Sequence, residues 1–164
     1  MKKPNPFLAA LVLLAVLALI ILSGVAVAVN DALWFLPVFR ADAAYFDLYW
    51  NGVQARIEPG SPGYDLLNDA LHENLSHVVA YPKGAGLSEA TIEDLRANGQ
   101  LLEAYYDPPA RIHSGYAFGA SRVFYIPLSG HHSDQNRVFN AARGTPLELR
   151  SLDAVRQAAE SVAP

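Results

Sequence analysis

Gly130-His131-His132-Ser133-Asp134 places two imidazoles and a carboxylate within five residues, a donor set that suits zinc or another divalent ion where a turn converges it. His131, His132 and Asp134 are therefore the candidate metal ligands. Against this, neighbouring side chains on an extended chain diverge, and the helical spacing usual for paired His ligands is missing. Loop composition of this kind more often makes a solvated turn between strands. His72 and His77 fall about 140° apart around a helix, which does not favour a shared ligand. His113, with Ser114, Ser129 or Asp107, contains the residue types of a hydrolytic triad, yet no Gly-x-Ser-x-Gly elbow accompanies any of these serines. Gly84-x-Gly86 and Gly115-x-x-x-Gly119 lack the Lys-Ser/Thr of a phosphate loop and the third glycine of a dinucleotide site, so they read as turns. The carboxylate pairs Glu93-Asp94 and Asp65/Asp69 fall on predicted helix surfaces, where solvation accounts for them. With no cysteine in the chain, thiol catalysis, disulfides and Cys-ligated zinc are excluded together. No cofactor is implied.

Aromatic density is the more suggestive signal. Tyr45, Tyr49 and Tyr105 lie on segments that alternate like strands, and tyrosine on the polar side of a sheet offers large contact area with little entropy to lose. They form the candidate binding face. The competing reading is that tyrosine is a good strand former placed half-buried.

The chain must also be positioned in space, and Phe7 to Val29 addresses that with twenty-three residues free of charge. As a helix this run would extend about 34 Å, enough to cross a hydrocarbon core of roughly 30 Å. Lys2 and Lys3 precede it, whereas Asp31 and Asp42 follow with only Arg40 between them, so the basic bias keeps the N-terminus (residues 1–6) in the cytoplasm. Trp34 and Phe35 suit the headgroup zone, and Pro37 discourages continuation of the helix. The alternative is a secretory signal with cleavage after Ala28, since Ala26-Val27-Ala28 has the small-x-small pattern, although the apolar run exceeds the usual core of such signals. Both readings place the later residues outside the cytoplasm.

All sixteen acidic residues follow position 30, against one Lys and nine Arg there, and this mildly acidic balance gives no electrostatic reason to bind nucleic acid. The absence of cysteine leans toward a bacterial envelope. After a juxtamembrane segment (30–42), residues 43–164 are of a size for one domain.

Asn51-Gly52 between two alternating runs predicts a hairpin over Ala44 to Glu58. In that register Trp50 faces Val53, Leu48 faces Ala55 and Phe46 faces Ile57 on a core side, while Tyr45, Asp47, Tyr49 and Arg56 take a water side. Ser61 with Pro62 predicts a helix running to about Val79 along a Tyr64, Leu67, Leu71, Leu75, Val78 stripe. Tyr81 to Gly86 reads as a loop. Ser88 caps a second helix ending at Asn98-Gly99, with Gly99 left-handed. Strands follow from Gln100 to the Pro108-Pro109 break, over Arg122 to Leu128 and over Asn136 to Ala141. Arg111 to Phe118 is a weaker extended piece, and Ser151 caps a final helix with Leu152, Val155, Ala159 and Val162 inward. Grouped strands argue for an α+β fold: a transmembrane helix, then a small domain whose mostly antiparallel sheet is packed on one side by two or three helices.

These readings converge on a membrane-anchored extracytoplasmic domain, a non-catalytic binding or accessory protein whose partners are the membrane and an envelope protein. The alternatives are an exported hydrolase or metal-dependent enzyme using the His131/His132/Asp134 loop, and a structural subunit of a membrane complex.

Overall fold

The computed structural model describes residues 5–36, 38–82, 84, 86–130, 132–141 and 146–164. Lys2, Lys3, Pro37, Lys83, Ala85 and His131, which carry parts of the sequence argument, lie outside them.

The apolar run is the helix α1 (Pro6–Val29). Asn5 caps its start, accepting the Phe7 amide at 3.0 Å, and Asn30 ends it in the left-handed conformation with its own amide on the Ala26 and Val27 carbonyls. The most apolar stretch of α1 is wholly unburied by the rest of the protein, and its length and composition suffice to cross a membrane.

Strands β1 (Tyr45–Trp50) and β2 (Val53–Ile57) form the hairpin in the register expected, Trp50 opposite Val53, Leu48 opposite Ala55 and Phe46 opposite Ile57. Asn51 and Gly52 take φ of 49° and 85°, the two positive values a type I′ turn requires. A side chain at Gly52 would also stand 2.9 Å from the Ala97 carbonyl. Helix α2 (Tyr64–Leu75), strand β3 (Val78–Ala80) and helix α3 (Glu89–Asn98) follow, then β4 (Gln100–Arg111), β5 (Ala120–Pro127), β6 (Arg137–Asn140), β7 (Leu147–Leu149) and helix α4 (Asp153–Val162). The seven strands make one antiparallel sheet in the order β2-β1-β4-β5-β6-β7-β3. The chain after α1 is thus α+β.

One face of the sheet carries Phe46, Leu48, Leu102, Phe124 and Ile126 into a core closed by Leu67, Leu71 and Leu75 of α2 and by Leu152, Val155 and Ala159 at α4. Phe39, from the segment after α1, joins this core. Not all the helices lie there, however. Helix α3 crosses the opposite face, because Leu95 is its one buried residue and its Arg96 reaches a carboxylate on β4. Two helices against one face and one against the other give three layers.

Local expectations needed adjustment where a short element met a long-range contact. Helix α2 begins at Tyr64 behind Gly63 at φ 87°, and Ser61 instead turns its hydroxyl to the Glu58 carbonyl. It stops at Leu75, and Val78–Ala80 leaves as β3 to pair with β7, a strand too short to show alternation. Gly99 is extended, not left-handed, since α3 feeds directly into β4. The Pro108-Pro109 pair does not end β4; the register against β5 shifts between Tyr105 and Ala110, so the missing donors fall in an irregularity and pairing resumes at Ala110 and Arg111.

Candidate functional site

The side of the hairpin that alternation assigns to water is in fact partly closed by α3, and two ion pairs with buried carboxylates are built there. Pairing of β1 with both β2 and β4, and of β4 with β5, sets Arg56, Asp47, Glu103 and Tyr125 in one row across four strands. Asp47 and Glu103 are thereby direct cross-strand neighbours, and both are buried. Like charges so placed repel at close range unless each has a partner. Arg56 supplies one, its Nε and Nη2 forking onto the two Asp47 oxygens at 2.9 and 2.8 Å. Arg96, descending from α3, supplies the other, with Nε and Nη2 both 2.6 Å from Glu103 Oε1. The Tyr105 hydroxyl donates to Glu103 Oε2 at 2.6 Å and completes the shell.

The candidate tyrosines are assembled around these ion pairs. Tyr45 and Tyr105 sit opposite each other on β1 and β4 and stack at 4.4 Å between centroids. The Arg56 guanidinium lies 4.3 Å over the Tyr45 ring, and that of Arg96 lies 5.3 Å over Tyr49. The structure therefore brings Tyr45, Tyr49 and Tyr105 onto one face. Burial pushes the Tyr105 hydroxyl well above its usual range, with the bond to Glu103 adding to it. Burial likewise raises Tyr49 and Tyr125, with the Glu103 charge contributing to both. These hydroxyls remain protonated donors at neutral pH and do not act as bases. What remains accessible is part of each half-buried tyrosine ring and two guanidiniums, Arg56 half exposed and Arg96 about a third, each held in place by a buried carboxylate. Aromatic side chains offer contact area and guanidiniums offer hydrogen-bond donors. Beside it, Leu87, Glu89, Ile92, Glu93, Arg96, Tyr125, Asn140 and Ala141 line a cleft of about 170 Å³ between α3 and β5–β6.

Glu103 and Arg96 were not singled out from sequence, although a lone carboxylate among Leu101, Leu102 and Ala104 is a visible anomaly in an apolar strand. Its meaning depends on which strand lies alongside, which no local pattern specifies.

The other candidates are separated. Of the metal candidates, His131 lies outside the described residues, His132 packs edge-on against Phe139 at 5.6 Å, and Asp134 is exposed in the short 3-10 turn Ser133–Gln135. Among the described residues no three His, Asp or Glu side chains converge to hold a metal ion. His113 contacts Asp31, Asp107 pairs with Arg122, the Ser129 hydroxyl accepts the Gln100 amide and the Ser114 hydroxyl donates to the Tyr116 carbonyl, so the structure does not assemble these four residues into a triad. His72 sits 3.4 Å from Asp42 and 3.1 Å from the Ala41 carbonyl, bracing the segment that enters β1.

Comparison with known protein families, with characterised proteins and with solved structures finds no match to this chain.

Proposed function

We propose that this protein is a single-pass membrane protein, N-terminus in the cytoplasm, whose α+β domain lies outside and binds a protein or other envelope component through the Tyr45–Tyr49–Tyr105 face without catalysing a reaction. The observation that carries this reading is the fixing of part-exposed Arg56 by Asp47 and of Arg96 and Tyr105 by Glu103, with the two guanidiniums packed over Tyr45 and Tyr49. Fixing rotamer-rich side chains before contact lowers the entropy cost of binding. Lys2 and Lys3 before α1, against Arg40 alone close after it, support the orientation.

A photoreactive amino acid placed at Tyr49 in intact cells tests the face. The expected result is one discrete adduct that is lost in a Tyr45→Ala background and never formed from Gln157 on α4. Absence of any adduct from both Tyr49 and Tyr105 sinks the binding reading. A protease added outside intact cells should remove a C-terminal tag, and a tag shielded until the membrane is broken reverses the orientation.

A further inference from the structure

We infer that the domain does not hang from its anchor on a stalk but lies against the bilayer, with the apolar rim formed by Leu33, Phe35, Leu36 and Tyr116 seated in the lipid headgroup and upper acyl region. The inference rests on the reading of α1 as a membrane-spanning helix.

Two polar contacts and one close approach tie the exit of α1 to the end of β4 and the loop after it. Asp31 is buried and meets His113 Nδ1 through both carboxylate oxygens, at 3.0 and 2.9 Å. Arg111 donates to the Asn30 carbonyl at 2.8 Å. The Trp34 ring stands 3.9 Å from where a side chain on Gly115 would begin. Asn30 and Asp31 are thus bonded to the domain immediately after the helix ends.

The chain also turns back along the helix. The Trp34 indole Nε1 donates to the Leu22 carbonyl at 3.4 Å. Leu22 is seven residues before the last residue of α1, so the ring sits about 10 Å back from the helix end at 1.5 Å per residue. A helix that spans the bilayer therefore carries Trp34 and the loop beside it down to the level of the lipid surface. The side chains beside it suit that level: Leu33, Phe35 and Leu36 are each between 45 % and 50 % exposed, and Tyr116, stacked on Tyr81, is 37 % exposed. The rim follows α1 directly in the chain, and Asp31, the carboxylate beside it in sequence, is buried and paired with His113, whereas Val38 stands outside it in a polar hollow with Arg40, Asp69 and Glu73. Apolar residues capped by Trp and Tyr are what an interfacial segment buries among headgroups. The occupant of this rim is thus the same bilayer that α1 crosses.

The cysteine-free chain allows single-cysteine labelling of the full-length protein in phosphatidylcholine/phosphatidylglycerol vesicles. Environment-sensitive fluorophores at L14C, L36C, Y116C and A97C are read against lipids carrying a nitroxide near the headgroup and against a water-soluble quencher. Ala97 sits beside the start of β4, the end opposite Arg111. The expected result is that the labels at 36 and 116 lose most of their emission to the nitroxide lipid and little to the aqueous quencher, with the reverse at 97. Trp34 emission, isolated by Trp50→Phe, should shift to the blue on reconstitution and be quenched by the same lipid. Labels at 36 and 116 quenched only from water, with 14 still reached by lipid, overturn the seating while the anchor stands. Shielding of both from either quencher means that a protein covers the rim and also overturns it. A label at 14 that no lipid quencher reaches overturns the anchor and the seating together.

Discussion

Arg96→Ala isolates the contact on which the candidate face depends. The Glu103 side chain has no exposure, and its two oxygens are served by Arg96 and Tyr105 at 2.6 Å. Removing one member of a buried ion pair costs roughly 3–5 kcal/mol, because the carboxylate left behind has lost its solvent and its partner. Arg96 is about a third exposed, so water re-enters where it stood and the expected cost drops to about 2–3 kcal/mol. Glu103→Gln removes the charge but keeps the shape and an acceptor for Tyr105, at about 1 kcal/mol. In that background Arg96→Ala should cost under about 0.5 kcal/mol, a coupling of about 2 kcal/mol between the two sites. Urea unfolding of the full chain in detergent micelles, followed by the emission of Trp50 on β1, measures each corner of the cycle. The midpoint of thermal unfolding for Arg96→Ala should fall by roughly 8–12 °C for a domain of this size. Additive costs in the double variant would refute the argument, since Arg96 would then be acting through α3 and not through Glu103.

Gly63→Ala should destabilise by roughly 2–4 kcal/mol, since φ is 87° and the new Cβ would fall 2.1 Å from Val162 Cγ1, where α2 and α4 meet. Pairing it with Val162→Ala should recover the steric part and leave the backbone part; no recovery in a denaturation midpoint argues against close packing there. At alkaline pH the raised tyrosines oppose ionisation in the folded state. Their contribution is complete below about pH 10, where unfolded tyrosine also holds its proton, and is lost as pH rises above that value because only the unfolded chain ionises freely. Tyrosinate absorbance from Tyr49, Tyr105, Tyr106 and Tyr125 should therefore appear together with loss of folded signal; ionisation of these groups near pH 10 with the sheet intact contradicts the burial argument.

The readings that held were those written into neighbouring residues. Asn51-Gly52 and the two alternating runs determine the hairpin and its register, because a two-residue loop leaves only one pairing that keeps Phe46, Leu48 and Ile57 on the same side. Ser88 capping α3, and the charge-free length of α1, are local in the same sense. The fold class followed from the grouping of strands. What alternation could not decide was whether the second face of the hairpin meets water or another layer, for that depends on where α3 returns. Alternation alone makes Tyr45, Asp47 and Tyr49 a wet surface; the tertiary structure places Glu103 next to Asp47, brings Arg96 down onto it and buries both acids. The same holds for β3 and β7, three residues each, whose strand character exists only in their pairing. Short-range chemistry sets turns, caps and apolar runs because the interacting groups are a few bonds apart. Arg96 lies close to Glu103 in sequence yet reaches it only because α3 folds back over the sheet, and Asp47 becomes the like-charged neighbour of Glu103 only when β1 pairs with β4, so the assembled sheet decides which acids are buried together and which arginine each receives.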